Sequence, residues 1–127
     1  MRRNIFVVLT IGLLLAAQVF AAQTVKIAVA AADKTPAAAV NEQAGAAPYF
    51  LFFDGKGKLL EAIENPYKNA DSPGPSVVNY VAGKGATVLV AGGFGSKIVD
   101  IAKGKGVSAV SFKGSAQDAV KKVLQPK

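Results

Sequence analysis

The chain has 127 residues, 51% of them hydrophobic, and a formal charge of +7 with no cysteine, histidine or tryptophan. That length suits one domain of ordinary size. The missing cysteine and histidine exclude disulfides, a structural zinc site, an activated thiol and the usual general base.

Met1-Arg2-Arg3-Asn4 is a short basic segment, followed by an apolar run from Ile5 to Phe20 whose polar interruptions are Thr10 and Gln18. Small residues Ala21 and Ala22 come next. This is the layout of a secretory signal peptide cleaved after Ala21. The run falls short of the roughly 20 apolar residues that a spanning helix needs. The expected division is therefore a signal peptide over 1–21 and one domain over 22–127, periplasmic or secreted, with no membrane association after cleavage. Cleavage removes both arginines and the only methionine, leaving 13 lysines against 8 acids, a net +5. Arginine is the residue favoured for bidentate phosphate and base contacts, so its loss argues against a nucleic-acid partner.

Residues 24–30, Thr-Val-Lys-Ile-Ala-Val-Ala, alternate and are rich in branched side chains, which predicts a strand. Residues 31–47 are small and irregular, a long loop of the kind that carries function. A second strand is predicted over 48–53, Pro-Tyr-Phe-Leu-Phe-Phe, buried on both faces. Asp54-Gly55 is a strong hairpin signal and leads into a third, antiparallel strand over 58–64. Residues 67–75, with Pro73 and Pro75, read as a second long loop. A helix over 76–82 follows, with Ser76 as its N-cap and Gly83 as its stop. Residues 87–91 form a near-continuous apolar strand, covered on both faces. A helix over 96–103, a last strand over 107–112 and a helix over 115–124 complete the chain. The triplets Gly83-Lys84-Gly85 and Gly104-Lys105-Gly106 each turn a helix into a parallel strand.

A hairpin followed by helix–strand units with right-handed crossovers gives a mixed five-stranded sheet with helices on its faces. The predicted fold is a three-layer α/β domain of ribonuclease-H-like order.

Several words in that order resemble the dinitrogenase iron–molybdenum cofactor biosynthesis family, which includes the orange protein. They are Lys26 to Ala30, Gly45 followed by Ala47-Pro48-Tyr49-Phe50, Glu64-Asn65-Pro66, the loop Gly92 to Gly95, and Gly106-Val107. The resemblance covers essentially the whole of 22–127. It implies a small, non-catalytic protein that binds, carries or helps assemble anionic metal–sulfur clusters, with a molybdenum- or iron-containing oxo or thio species as the ligand. The chain departs from the family where relatives often carry His-Phe-Gly-Arg before the second strand: Gln43-Ala44-Gly45-Ala46 stands there, without the potential ligand and the potential anion clamp.

Soft metals want thiolate, thioether or imidazole, and residues 22–127 offer none. Asp33, Asp54, Asp71, Asp100 and Asp118 are far apart in sequence, so no metal site is predicted. The best candidate is the loop Gly92-Gly93-Phe94-Gly95-Ser96-Lys97, where a strand passes into a helix. Glycines let a backbone approach a ligand, and amides at a helix start are unpaired donors bearing about half a positive charge. Gly92, Gly93, Gly95, Ser96 and Lys97 are thus the expected anion-binding residues. Ligands of open α/β sheets gather beyond the carboxyl ends of strands, which adds Asp33, Lys34, Thr35 and Lys113 to the same rim. The competing expectation is a structural or protein-interaction module of the same fold that has lost its ligand, favoured by Ala44 and Ala46. The partner protein stays unspecified.

Overall fold

A computed structural model describes residues 25–126; the predicted signal peptide, 1–21, lies outside them. Five strands, β1 (Lys26–Ala31), β2 (Tyr49–Asp54), β3 (Leu59–Glu64), β4 (Val88–Ala91) and β5 (Ser108–Ser111), form one sheet in the order β3-β2-β1-β4-β5. β1 pairs antiparallel with β2 and parallel with β4, β2 pairs antiparallel with β3, and β4 pairs parallel with β5. Helices α1 (Pro73–Gly83), α2 (Ser96–Gly104) and α3 (Ala116–Leu124) complete the described residues. The expected three-layer mixed architecture is present.

The sheet separates two cores. Val77, Val78 and Val81 of α1 and Ala102 of α2 pack on Ala28, Ala30, Phe50, Phe52 and Leu89. On the other face Ala116, Ala119 and Val120 of α3 pack on Ile27, Val29, Leu51, Phe53 and Val90. β1 is buried from Ile27 to Ala31, so its alternation is one of size rather than polarity. Ala28 and Ala30 face the two-helix layer, where Phe50 and Phe52 fill the space, and Ile27, Val29 and Ala31 face α3. A central strand covered on both faces has no polar side to show.

The start of α1 differs from the sequence expectation. The helix begins at Pro73, with Ser72 rather than Ser76 at the N-cap position and no side-chain cap. Proline is disfavoured inside a helix, yet its fixed φ and missing N–H suit the first turn. Pro73 and Pro75 therefore open this helix instead of ending a loop.

All three Gly-Lys-Gly triplets follow one rule: the last glycine takes a positive φ, at Gly57 (86°), Gly85 (90°) and Gly106 (75°). Only glycine adopts that conformation cheaply. Two of these turns deliver a helix end into a parallel strand. The third closes the β2–β3 hairpin, where the Asp54 carboxylate accepts from the amides of Lys56 (2.8 Å) and Lys58 (2.9 Å). Those two amides hold the Asp54 carboxyl below its usual pKa of 3.8.

Candidate functional site

The order β2-β1-β4 makes the carboxyl ends of β1 and β4 the place where chain direction diverges and a crevice forms. Here the protein fills part of that crevice with its own backbone. After β1 the chain doubles back, with Ala32 N–H donating to Ala39 C=O (3.0 Å), and returns along the sheet end. Asn41 N–H donates to Ala30 C=O (2.7 Å), Gly92 N–H to Asn41 C=O (2.8 Å) and Gly93 N–H to Glu42 C=O (2.7 Å). Residues 41–43 thus lie between the ends of β1 and β4.

This contact explains two of the glycines without a ligand. A Cβ on Gly92 would stand 2.8 Å from Glu42 Cα, so any side chain there would push the returning loop away. The Gly93 amide, expected to be a free donor, is committed to Glu42. Neither Gly92, Gly93 nor Gly95 has a positive φ. Gly95 is the N-cap of α2, with φ −70° and ψ 154°, and a Cβ there would meet open space. Donors do remain at the helix start. Among the described residues nothing accepts a hydrogen bond from the amides of Gly95, Ser96 or Lys97.

Beside this loop opens a cleft of about 440 Å³. One wall is Glu42 to Ala46, a second is Pro73 and Gly74 at the start of α1, and the third is Gly93 to Gly95 with Ile98. The starts of α1 and α2 therefore both border it. Two further glycines set its width. A Cβ on Gly45 would come within 2.8 Å of Pro73 Cγ, and one on Gly74 within 2.7 Å of Ile98 Cγ1.

Asn65 fixes the first wall. It is 1% exposed, and its Nδ2 donates to Gly45 C=O and Ala47 C=O, each at 2.9 Å. Its Oδ1 accepts from Tyr67 N–H at 2.8 Å, and its own amide donates to Pro48 C=O at 3.0 Å. A buried amide satisfied at every position rigidifies what it holds, and here that is the turn carrying Ala44 and Ala46. Composition drew no attention to Asn65, although it lies within the Glu-Asn-Pro stretch of the family resemblance.

The predicted rim residues do not converge. Asp33, Lys34 and Thr35 form an exposed turn in which Asp33 Oδ1 accepts from Lys34 N–H (2.7 Å) and Thr35 C=O from Ala38 N–H (2.9 Å). Lys34 instead lies close enough to the end of β3 to help Lys68 lower the pKa of Glu64. Lys113 lines shallow depressions with Glu42 and Gly92, beside the cleft rather than in it. Lys97 is exposed on the first turn of α2 and lines none of these cavities. Residues 41–46, not 33–35, face the glycine loop, because the long loop folds back on itself before reaching it. The one charged side chain on the cleft lining is Glu42.

A larger groove, about 940 Å³, runs between α3 and the β2–β3 hairpin over Phe53, Leu59, Phe112, Val120 and Leu124. It is open, and although Pro36, Phe112, Gln117 and Asp118 bring it to the ends of β1 and β5, it runs from there along the length of α3; the smaller cleft, bordered by two helix starts, is the better site. Among the described residues no group of three or more His, Cys, Asp or Glu could hold a metal ion. No described helix is long and apolar enough to cross a membrane.

The described residues thus form a three-layer α/β domain with a helix-bordered cleft beyond the carboxyl ends of its central strands. The sequence profile of the dinitrogenase iron-molybdenum cofactor family matches residues 25–126, and the chain belongs to that family. Among solved structures it is similar to a Thermotoga protein described as a candidate NifB protein of the DUF35 family (27% identity, TM-score 0.66, covering 78% of this chain and 86% of that one). It shares its fold with the apo orange protein of Desulfovibrio gigas (23% identity, TM-score 0.71, 78% and 86% covered). A candidate dinitrogenase from Methanocaldococcus jannaschii has the same fold at 7% identity (TM-score 0.56, 80% and 89% covered). No curated protein matches the chain significantly.

Proposed function

We propose that the protein is an exported, non-catalytic binding protein that carries a small anionic metal–sulfur cluster, or a molybdenum- or iron-containing precursor of one, in the cleft between α1 and α2. Family membership supports the cargo class, and one structural observation supports the place. The α2 start presents the unengaged amides of Gly95, Ser96 and Lys97 beside a cavity of suitable size.

The chemistry of the lining limits how such a cargo is held. Gln43, Ala44 and Ala46 supply no soft ligand, and Glu42 is a hard carboxylate. Direct ligation of a thiophilic metal by side chains is therefore not available. The cargo must arrive with its coordination sphere complete and be held from outside, by amide donors and the helix dipole. Glu42 accepts through its carbonyl from Gly93 N–H, so its carboxylate is a negative charge on the lining that the amide donors and the helix dipole have to outweigh. The absence of His and Cys from 22–127 and the lack of a carboxylate cluster among the described residues support a carrier role over catalysis.

Titration with tetrathiomolybdate, followed by amide resonances, tests this reading. The amides of Gly95, Ser96 and Lys97 should move first and that of Gly93 little. The affinity should fall with ionic strength, since the Debye length is only about 8 Å at physiological salt. If no amide of the α2 start moves at millimolar ligand, the cleft carries no such cargo and the protein is an interaction module of the same fold.

A further inference from the structure

The lysines divide unevenly between the two ends of the sheet. β1 begins at the end where β4 and β5 also begin, where α1 and α2 finish and where antiparallel β2 turns into β3. Gly57 in that turn faces Leu124 and Val120, so α3 also finishes there. This end exposes Lys56, Lys58, Lys103, Lys105, Lys121 and Lys122. Two more lysines are tied down beneath them. Lys26 Nζ donates to Lys84 C=O (2.7 Å), and Lys84 Nζ pairs with Glu61 (3.0 Å). Among the described residues only Asp54 and Glu61 stand against these eight cations, a net +6. At the cleft end the other four described lysines meet five acids, a net −1, with Asp100 midway along α2.

Lysines near helix ends complement the helix dipole, which accounts for Lys103, Lys121 and Lys122. It does not account for Lys56 and Lys58 in the hairpin turn. Two apolar observations coincide with the same end. Of the three exposed large hydrophobic residues among those described, Val25 (40%) and Leu60 (50%) are both there, one preceding β1 and the other just past the turn. Val25 is also where the segment containing the apolar run Ile5 to Phe20 joins the domain.

We infer that this basic end is a docking surface for an anionic membrane. Lipid phosphates accept from the six exposed lysines, Val25 and Leu60 enter the interface, and the cleft faces away from the bilayer. A polybasic surface gains about one kcal/mol per lysine near anionic lipid, about fivefold each, and exposed apolar residues add a contribution that a soluble polyanion would not supply. The inference stands apart from the cleft and its cargo. It runs against the sequence expectation of no membrane association after cleavage, and the vesicle experiment decides between the two.

The test uses the full chain with vesicles of phosphatidylcholine, alone or with about one-third phosphatidylglycerol, over a lipid dilution series. The zwitterionic vesicles measure what the N-terminal apolar run contributes by itself. Anionic lipid should raise partitioning by on the order of 10²-fold or more, and about 1 M NaCl, where the Debye length is about 3 Å, should remove the increment. The triple variant Lys103→Gln, Lys105→Gln, Lys122→Gln should lose on the order of 10²-fold of it. The charge-matched variant Lys34→Gln, Lys97→Gln, Lys113→Gln should keep it. None of these six side chains makes a hydrogen bond or ion pair among the described residues, so both variants should fold. On anionic vesicles an amine-reactive reagent should spare Lys103, Lys105, Lys121 and Lys122 and label Lys34, Lys97 and Lys113. Equal partitioning on the two vesicle types, equal loss in the two variants, or uniform labelling overturns the proposal. So does capture by polyglutamate without capture by vesicles, which would assign the surface to an acidic protein.

Discussion

Two helices begin at the cleft, and they begin in opposite ways. α1 opens with Pro73-Gly74-Pro75, so two of its first three residues have no N–H to offer, and its glycine is pressed against Ile98. α2 opens with Gly95-Ser96-Lys97, all exposed, with their amides unengaged and empty space beside the N-cap. Every helix start leaves orphan donors. Proline has removed two of them from one of these starts, and the other has kept them all. A cleft with one closed and one open wall is one in which binding is directed to a side.

The contrast can be broken most forcefully at the closed side. Asn65→Ala deletes three buried hydrogen bonds and strands two carbonyls and an amide, and each unsatisfied buried group costs on the order of 1–3 kcal/mol. A loss of about 3 kcal/mol in urea unfolding is expected, with amide shifts concentrated in residues 44–47. Loss below about 1 kcal/mol would mean that the Gly45–Ala47 turn holds itself. Next in size is Gly74→Val. Its Cβ would begin within 2.7 Å of Ile98, and such overpacking costs about 1–3 kcal/mol. The midpoint of thermal unfolding should fall accordingly, and Ile98→Ala in the same chain should restore part of it.

The smallest change in stability is expected at the open side, and its sign is opposite. Gly95→Ser places a good N-cap where a Cβ meets nothing, worth a few tenths of a kcal/mol, about 0.3, toward the folded state. The new hydroxyl would occupy one of the helix amides. Tetrathiomolybdate binding should therefore weaken while the protein becomes slightly more stable. A variant that binds as well as the parent would show that those amides are not the seat.

The architecture could be read from the chain almost whole. Apolar runs bounded by glycine triplets and one Asp-Gly turn placed all five strands in order, because those signals are local. The start of α1 was missed for a physical reason. Proline reads as a loop residue by average propensity but is favoured at a first helical turn, and Ser72 just before it was the usable sign. The site was half legible. The glycine loop borders the cleft as expected, but its glycines serve different ends: Gly92 admits the backbone of Glu42, Gly93 bonds to it, and only Gly95 is open. No one-dimensional pattern separates those roles, since each depends on a segment fifty residues away in sequence. The lysines expected to converge on the loop failed to do so for the same reason. A sequence counts charges, and the return of residues 36–43 along the sheet end decides where they go.

The β2–β3 turn has a topological consequence. Gly55 abuts Val25, and Gly57 abuts Leu124, so the first and nearly the last described residues meet at one hairpin. The path of the chain from 25 to 126 is close to a closed ring, with both of its ends at the basic end. A short tether between 25 and 126 would let the cut be moved to the exposed stretch Lys68–Ser72 without crossing a strand of the sheet. Adjacent ends of this kind are what make circular permutation tolerable. Any fusion carried on the new ends would then stand beside the cleft instead of at the far pole.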